Sequence, residues 1–190
     1  MSKRGWILLG SSIPVLALIG LLAWALVKSG GSPGGLGVNN AFGEVPVEQE
    51  ATREFSLELL DGTTVTLSGL RGSVVLLDFW ASWCPPCRQE APILAQVYRE
   101  YRERGVEFIG VDIWDRRPDA EAYLERYSVT YPNGIDARGR IAINYGVRGV
   151  PEKFLIGGGG ALVKKFVGPM SGDSLRAALD ELLATEARGQ

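Results

Sequence analysis

The chain opens with one long apolar stretch, and shorter apolar runs separated by turn residues follow it. Residues 5–27 (GWILLGSSIPVLALIGLLAWALV) carry no charge, and Lys3, Arg4 and Lys28 flank them. As a helix this stretch would be about 35 Å long, enough to cross the roughly 30 Å hydrocarbon core of a bilayer. We therefore predict a transmembrane anchor over residues 5–27. By the positive-inside rule, residues 1–4 lie in the cytoplasm and the rest of the chain is exported.

A cleaved secretory signal is the alternative to an anchor. Such a signal has a shorter apolar core, of about 7 to 15 residues, and a small-residue cleavage site follows it. The only A-x-A match in the first 50 residues, Ala23-Trp24-Ala25, lies inside the apolar run. The pattern therefore favours an anchor that stays attached to the chain.

Residues 28–50 are rich in Gly, Ser, Pro and Asn and contain few large apolar residues. This composition is typical of a flexible linker. We predict that the linker holds a folded domain, residues 51–187, away from the membrane.

Beyond residue 51 the apolar pattern alternates between strand and helix periodicity. Two alternating segments, FSLELL and TVTL, flank Asp61-Gly62 and predict a β-hairpin. SVVLLDFW (73–80) predicts a strand buried on both faces, and residues 85–104 predict the next helix. The later pattern predicts, in chain order, a strand at 106–113, a helix at 118–127, a helical turn at 139–146, strands at 153–156 and 162–167, and a helix at 172–184 capped by Ser171. This order predicts an α/β fold with a mixed sheet.

The composition limits the chemistry that this fold can carry. The 190 residues include no histidine and only two cysteines, so Ser-His-Asp and Cys-His nucleophiles, imidazole bases and His-ligated metal sites are excluded. Three of the 20 basic residues and none of the 22 acidic residues lie in the first 30 positions, so the remainder carries a net charge of −5. An acidic domain argues against a nucleic-acid partner. Asp112, Asp115 and Asp119 lack the register of a calcium loop and are expected on a solvated edge, so no metal site is predicted.

The two cysteines stand in the segment Trp83-Cys84-Pro85-Pro86-Cys87, where the buried strand ends and a helix begins. Cysteines three apart on a first helical turn can form a disulfide, and the helix N-terminus stabilises a thiolate at the first of them. We expect Cys84 to be a partly exposed nucleophile with a lowered pKa. Cys87 is then expected to attack the mixed disulfide that Cys84 forms. The two prolines fix the backbone and remove two N–H donors near the sulfur.

A structural disulfide, a metal site and two buried small residues are the alternatives to redox chemistry. Crosslinking so short a loop stabilises a fold by only about 2 kcal/mol, so a structural bridge here would gain little. Two thiolates suit Cu(I), which leaves a copper-binding or copper-delivery module for oxidase assembly as the second functional hypothesis. Among the exported residues, Met170 is the only methionine that would add a soft ligand. Peroxide reduction would require a peroxidatic cysteine motif, which is not seen.

The segment VVLLDFWASWCPPCRQEAP (74–92) resembles the active-site segment of the thioredoxin superfamily. The preceding FSLELLDGTTVTLSGLRGSVV resembles the N-terminal hairpin of its membrane-anchored TlpA/ResA/DsbE-like thiol-disulfide reductases, and the similarity covers residues 53–184. The resemblance implies a thioredoxin fold, with a mixed central sheet flanked by helices, an N-terminal β-hairpin and a central αβ insertion, preceded here by one transmembrane helix. It also implies reduction of protein disulfides outside the cytoplasm, often those of apocytochrome c. The Cys84–Cys87 disulfide would be the only redox group, and a membrane thiol protein would supply its electrons.

The resemblance assigns roles to further residues. GVRGVPEKFLI resembles the loop that holds a cis-proline opposite the cysteines, which implies a cis Val150–Pro151 bond and a Val150 backbone free to pair with an extended substrate. Glu152 matches the DsbE-like subgroup and tilts the prediction toward cytochrome c maturation. The residues expected to bind substrate are Trp83, Pro85, Pro86, Val150, Pro151 and Glu152.

Asp78 and Glu90 are the candidates for proton handling. Asp78 stands at the position of thioredoxin's buried aspartate, and Glu90 stands where ResA-like proteins carry a glutamate near the thiols. An acid in an apolar strand should have a raised pKa and can accept the Cys87 proton as that thiol becomes a nucleophile. Either carboxylate can fill this role, and an exposed place in the first helical turn is the alternative for Glu90.

The direction of the reaction is predicted from the charges beside the cysteines. No histidine lies between them to stabilise a thiolate, the nearby acids oppose one, and Arg88 offsets the acids only in part. A strongly oxidising pair is therefore not expected. The sequence predicts a membrane-tethered, extracytoplasmic protein-disulfide reductase that uses Cys84 and Cys87.

Overall fold

The computed structural model describes residues 14, 16–24, 37–47 and 52–189 of the chain. The chain divides into two compact units, residues 1–37 and 38–190. In the first unit residues 14 and 16–24 are helical, and the remainder of the predicted anchor, residues 5–13, 15 and 25–27, lies outside the described residues. None of the helices formed by the described residues has both the length and the apolar character needed to cross a membrane.

The described residues form ten strands and, in the second unit, four α-helices. The strands are β1 (Gly37–Val38), β2 (Gly43–Val45), β3 (Ser56–Glu58), β4 (Thr64–Thr66), β5 (Val74–Trp80), β6 (Val106–Asp112), β7 (Asn133–Ile135), β8 (Gly149–Val150), β9 (Glu152–Ile156) and β10 (Leu162–Val167). The helices are α1 (Pro85–Tyr101), α2 (Arg117–Arg126), α3 (Arg140–Asn144) and α4 (Gly172–Gly189).

Six of the strands form a mixed sheet in the order β2-β10-β9-β5-β6-β7. Strands β5, β6 and β7 are parallel, whereas β9 runs antiparallel to β5, β10 to β9 and β2 to β10. Strands β3 and β4 form the predicted hairpin as a separate two-stranded sheet. The α/β class, the mixed sheet and the hairpin are therefore confirmed, and α2 and β7 lie where the central insertion is expected.

Strand β5 forms because its seven residues are apolar except for one, and all seven are buried between neighbouring strands and both faces of the sheet. Helices α1 and α4 pack on one of these faces. The core beneath them contains Val74, Leu76, Leu94, Val97, Tyr101, Val106, Phe108, Leu155, Phe166, Leu175 and Leu179. Because strand side chains alternate, Asp78 lies on the same face of β5 as Val74 and Leu76, toward α1.

The predicted linker needs a correction at its second half. Residues 43–45 were expected to be flexible, but they form β2 and pair with β10 at the edge of the sheet, from Gly43 opposite Val167 to Val45 opposite Lys165. The pairing is nonlocal, so a three-residue strand in a Gly-rich segment leaves no periodic signal. Strand β7 is missed for the same reason.

Candidate active site

Cys84 occupies the N-cap of α1, four positions after β5 ends at Trp80, and Pro85 is the first residue of the helix. Cys84 and Cys87 form a disulfide with a Cα–Cα distance of 5.3 Å. Proline is favoured at this position because its fixed φ suits the first helical turn and its missing N–H would have no helical partner. The predicted pair and its place at the strand-to-helix junction are confirmed.

Few backbone donors face the Cys84 sulfur. Pro85 and Pro86 have no N–H, and the N–H of Arg88 donates to the Cys84 carbonyl at 3.2 Å. The Cys87 N–H is the one donor of this turn that reaches the Cys84 Sγ, at 3.2 Å. A thiolate at Cys84 therefore has the helix dipole and a single N–H to stabilise it.

The expected partial exposure of Cys84 is wrong for this oxidised state. The exposed fraction is 0% for Cys84 and 1% for Cys87. The turn before them is braced, because Arg88 Nε donates to the Ser82 carbonyl at 2.6 Å and the Ser82 hydroxyl donates to Asp115 at 2.9 Å.

The Val150–Pro151 peptide bond is cis, as the resemblance implies. The backbone of Val150, however, is not free as expected. Its carbonyl accepts a hydrogen bond from the N–H of Asn39 at 2.8 Å, and Val150 itself is fully buried. A segment assigned to the linker therefore occupies the position predicted for an extended substrate.

Glu152 is buried beside this loop and not presented on its surface. Its carboxylate accepts the N–H groups of Arg148 at 3.0 Å and Gly149 at 3.2 Å, and it forms an ion pair with Lys165 at 2.8 Å. These contacts brace the cis-proline loop from within. The predicted part of Glu152 in substrate binding stays a prediction, and its contacts support an indirect effect through the loop.

The other expected substrate-binding residues differ in exposure. Pro85 is exposed and Trp83 is partly exposed, whereas Pro86 and Pro151 are buried. Pro85 and Trp83 thus provide the accessible surface next to the disulfide.

Asp78 and Glu90 are brought together beneath α1 with a third charged residue, Lys153. All three are buried, with exposed fractions of 1%, 2% and 0%. The Lys153 ammonium contacts both carboxylate oxygens of Glu90 and donates to the Gly168 carbonyl at 3.1 Å. The alternative for Glu90, an exposed first-turn residue, is therefore wrong.

The two carboxyls differ in their hydrogen bonds. Glu90 also accepts the backbone N–H of Met170 at 2.9 Å, whereas the one donor to Asp78 in the described part of the chain is the Tyr131 hydroxyl, at 3.2 Å. The Oδ1 atom of Asp78 has no hydrogen-bond partner among the described residues. Burial raises the pKa of both carboxyls above the ordinary range, and the Lys153 charge opposes that rise in each.

Tyr123 connects these carboxyls to the cysteines. Its hydroxyl donates to the Cys87 carbonyl at 2.9 Å, and its ring stacks on Trp80 with centroids 4.2 Å apart. Burial raises the pKa of the Tyr123 hydroxyl, and the negative charges of Asp78 and Glu90 raise it further. The carboxyls therefore act electrostatically on a group that touches the backbone of Cys87.

Sequence reasoning missed Lys153. A lysine within the apolar strand segment EKFLI is a usable signal, because an ammonium buried between sheet and helix needs an acidic partner. That partner is Glu90, and a second acid, Asp78, lies directly opposite Lys153 in the register of β5 and β9.

The expectation of a solvated edge is wrong for Asp112. This residue ends β6 and is fully buried, because β7 pairs alongside it. Burial, followed by the charge of Asp115, raises the pKa of Asp112 to about 9. Met170, the soft ligand that the copper hypothesis would add, has its side chain in the core under α1 and α4.

Comparisons with known proteins agree with this geometry. The AhpC/TSA family matches residues 47–165. A thiol-disulfide oxidoreductase ResA of Halalkalibacterium halodurans is 35% identical over 138 residues, which cover 73% of this chain and 78% of that protein.

Solved structures give the same picture. A Chlorobium tepidum structure assigned to the thiol:disulfide interchange protein DsbE is 33% identical, has a TM-score of 0.68, and matches 73% of this chain and 99% of that one. A secreted Mycobacterium tuberculosis disulfide oxidoreductase homologous to E. coli DsbE is 29% identical, has a TM-score of 0.62, and matches 67% and 96% of the two chains. The chain therefore belongs to the AhpC/TSA family and is a thiol-disulfide oxidoreductase with a thioredoxin-like fold.

Proposed function

We propose that the chain is a membrane-tethered reductase of protein disulfides that works outside the cytoplasm. The observation that carries the proposal is the setting of Cys84, where two prolines leave one N–H donor for the sulfur. Because few donors stabilise a Cys84 thiolate, the reduced form gains little stability, and such a pair gives up its electrons readily. The two buried carboxyls under α1 oppose a further negative charge nearby.

The proposed reaction consists of two exchanges. The Cys84 thiolate attacks one sulfur of a client disulfide, and the other client sulfur leaves as a thiolate that takes a proton from water. Cys87 then gives its proton to a buried carboxyl and attacks the Cys84 sulfur, which breaks the mixed disulfide. The client gains two electrons and leaves with both cysteines reduced, and the enzyme that supplied them is left with an oxidised Cys84–Cys87 disulfide. A dithiol protein at the membrane returns two electrons and two protons.

Asp78 is the carboxyl that we assign to the Cys87 proton. Glu90 is held by the Lys153 ammonium and the Met170 N–H, so its negative charge is already compensated. Asp78 has one hydrogen bond and one oxygen without a partner. Burial raises its pKa to about 6, near the pH at which a general base works best.

The proposals of a membrane tether and of apocytochrome c as the client are supported by sequence features. The uncharged stretch 5–27, with basic residues at its ends, supports a single membrane anchor with the catalytic domain outside. Glu152, directly after the cis-proline, supports a place in the DsbE-like subgroup and apocytochrome c as the client.

Redox equilibration of the full chain in detergent tests whether the cysteine pair acts as a reductant or as an oxidant. The Cys84–Cys87 potential, read from thiol redox buffers, is expected to lie near that of thioredoxin, about −270 mV, and a value near the −120 mV or so of the strongest oxidants would overturn the reductase assignment. A Cys87→Ala variant then traps the client on Cys84 in cells. We expect apocytochrome c and one membrane thiol protein as adducts, whereas many unrelated adducts would indicate a general reductase.

A further inference from the structure

A segment of the chain itself lies where a client peptide is expected to bind. The Asn39 N–H donates to the Val150 carbonyl at 2.8 Å, and the Asn39 side-chain amide donates to the Pro151 carbonyl at 3.3 Å. The same amide lies 3.5 Å from a Glu152 carboxylate oxygen. All three partners belong to the cis-proline loop, so Asn39 uses the backbone edge that a client strand requires.

The burial of the disulfide is the second observation. Thiol-disulfide exchange needs an attacking sulfur to approach the sulfur that it displaces, so reactivity depends on access. Cys84, the sulfur next to the Val150 edge in the proposed reaction, has no exposed surface. The described conformation is therefore closed to a partner, and something must move before exchange begins.

The N-terminal arm, residues 38–47, has a defined course next to this site. Its β2 pairs with β10, and Phe42 stacks on Phe166 with ring centroids 5.8 Å apart. Gly168 has φ +83°, and a Cβ there would lie 2.1 Å from the Ala41 carbonyl oxygen. Because the Gly168 N–H also donates to the Pro151 carbonyl at 2.9 Å, the arm and the cis-proline loop meet at one glycine.

We propose that Val38 and Asn39 are an internal occupant of the client-binding edge, so that the oxidised protein blocks its own disulfide until a partner strand displaces them. The inference rests on the proposed function in one respect, because it takes Val150 as the edge with which clients and electron donors pair. The displacing partner is an extended peptide whose backbone N–H replaces that of Asn39 on the Val150 carbonyl. Strand β2 stays paired meanwhile, so only the residues before it need to leave.

The exchange is feasible because few contacts hold the occupant at the edge. Val38 ends β1, a two-residue strand that pairs with β8, and one backbone hydrogen bond of ordinary length and two longer amide contacts hold Asn39. A single hydrogen bond contributes little net free energy, because water replaces it when it opens. A client strand that adds its own backbone bonds and a covalent sulfur bond can therefore compete.

Reduction kinetics of the full chain in detergent test the proposal. In Asn39→Pro, residue 39 has neither a backbone N–H nor a side-chain amide, so we expect reduced thioredoxin to reduce Cys84–Cys87 about tenfold faster than in the wild type, the effect of one lost hydrogen bond. Asn39→Ala keeps the N–H and should show a smaller gain. Asn40→Ala is the matched control, since Asn40 is exposed and, among the described residues, its amide donates only a long hydrogen bond of 3.5 Å to the Val38 carbonyl. Equal rates in all four proteins would overturn the proposal.

A second measurement, on proteins with the native arm, tests the proposal even if the proline variant misfolds. In the oxidised wild type, the amide of Asn39 should exchange slowly with deuterium. It should lose that protection in Cys87→Ala when Cys84 is joined by a disulfide to a short extended peptide with one cysteine. Protection that survives in the joined species would overturn the proposal. Neither readout depends on which client the protein serves in cells, so failure of the apocytochrome c assignment would leave both tests informative.

Discussion

Asp78 and Lys153 lie directly opposite each other on β5 and β9, and the Lys153 ammonium binds the carboxylate of Glu90. One buried cation thus serves two buried carboxyls. Because the second negative charge has no cation of its own among these groups, one carboxyl is expected to bind a proton more readily than an exposed acid does. The active-site helix therefore lies above a group that can take up and release a proton near neutral pH.

Replacing Lys153 by methionine should lower the free energy of unfolding by about 3 kcal/mol at pH 7, because it leaves buried acids without a cation. Urea unfolding measures the change. Lys164→Met is the matched control, since Lys164 pairs with Glu181 at the surface and should contribute less than about 1 kcal/mol. Similar losses in the two variants would contradict a special role for the buried cation.

The pH dependence of the resolving step distinguishes the two carboxyls. With a chromogenic thiol on Cys84, wild-type release by Cys87 should rise with pH through about 6, because Asp78 must be ionised to accept the proton. Asp78→Asn should lower the rate of release at pH 7 by about 100-fold. It should also abolish the rise of that rate with pH.

In the same assay, Glu90→Gln should keep the rise of the release rate with pH but move it to lower pH. Removing the negative charge of Glu90 leaves Lys153 to stabilise Asp78 alone, which lowers the Asp78 pKa. If Glu90→Gln abolishes the step and Asp78→Asn preserves it, Glu90 is the base.

Asp112→Asn should stabilise the protein, and the gain should grow with pH. The pKa of Asp112 rises from 3.8 to about 9 on folding. Between these values the folded state holds a proton that the unfolded state has released, so wild-type stability falls as pH rises. Asparagine removes this loss, with a gain of up to roughly 4 kcal/mol at pH 7 that shrinks toward pH 4. Thermal unfolding of Asp112→Asn and of Asp119→Asn, a partly exposed control paired with Arg116, measures it. A pH-independent difference would refute the assignment.

Gly110→Ala should destabilise the sheet by about 3 kcal/mol, the upper range for overpacking. A Cβ at Gly110 would lie 1.7 Å from the Asn133 Oδ1, the atom that accepts the Trp80 indole hydrogen bond at 2.8 Å. Gly159→Ala, with open space around the new methyl, should change stability by less than about 0.5 kcal/mol. Chemical denaturation compares the stability of the two variants. An unchanged midpoint for Gly110→Ala would contradict the prediction and show that β7 shifts to make room for the methyl group.

The local sequence pattern was sufficient to predict most of the strands and helices. The apolar run 73–80, the helix that starts at a proline and the Ser171 cap are short-range features, and β5, α1 and α4 follow them. The cysteine pair could be predicted for the same reason, because its position at a helix N-terminus depends on residues within one turn. Strands β2 and β7 escaped prediction because each has three residues and a partner that is distant in the sequence, whereas the equally short β3 and β4 are joined by a tight turn.

The redox pair, the order of the main strands and helices, and two acids near the thiols can be inferred from the sequence alone. The folded structure is needed to see that Lys153, 63 positions from Glu90, binds that acid, while one oxygen of Asp78 has no hydrogen-bond partner among the described residues. It is also needed to see that Asn39 lies on the cis-proline loop, 112 positions away from Pro151, and that Cys84 is covered. These relationships depend on strand register and on side chains that meet across the sheet, and no local periodicity encodes them.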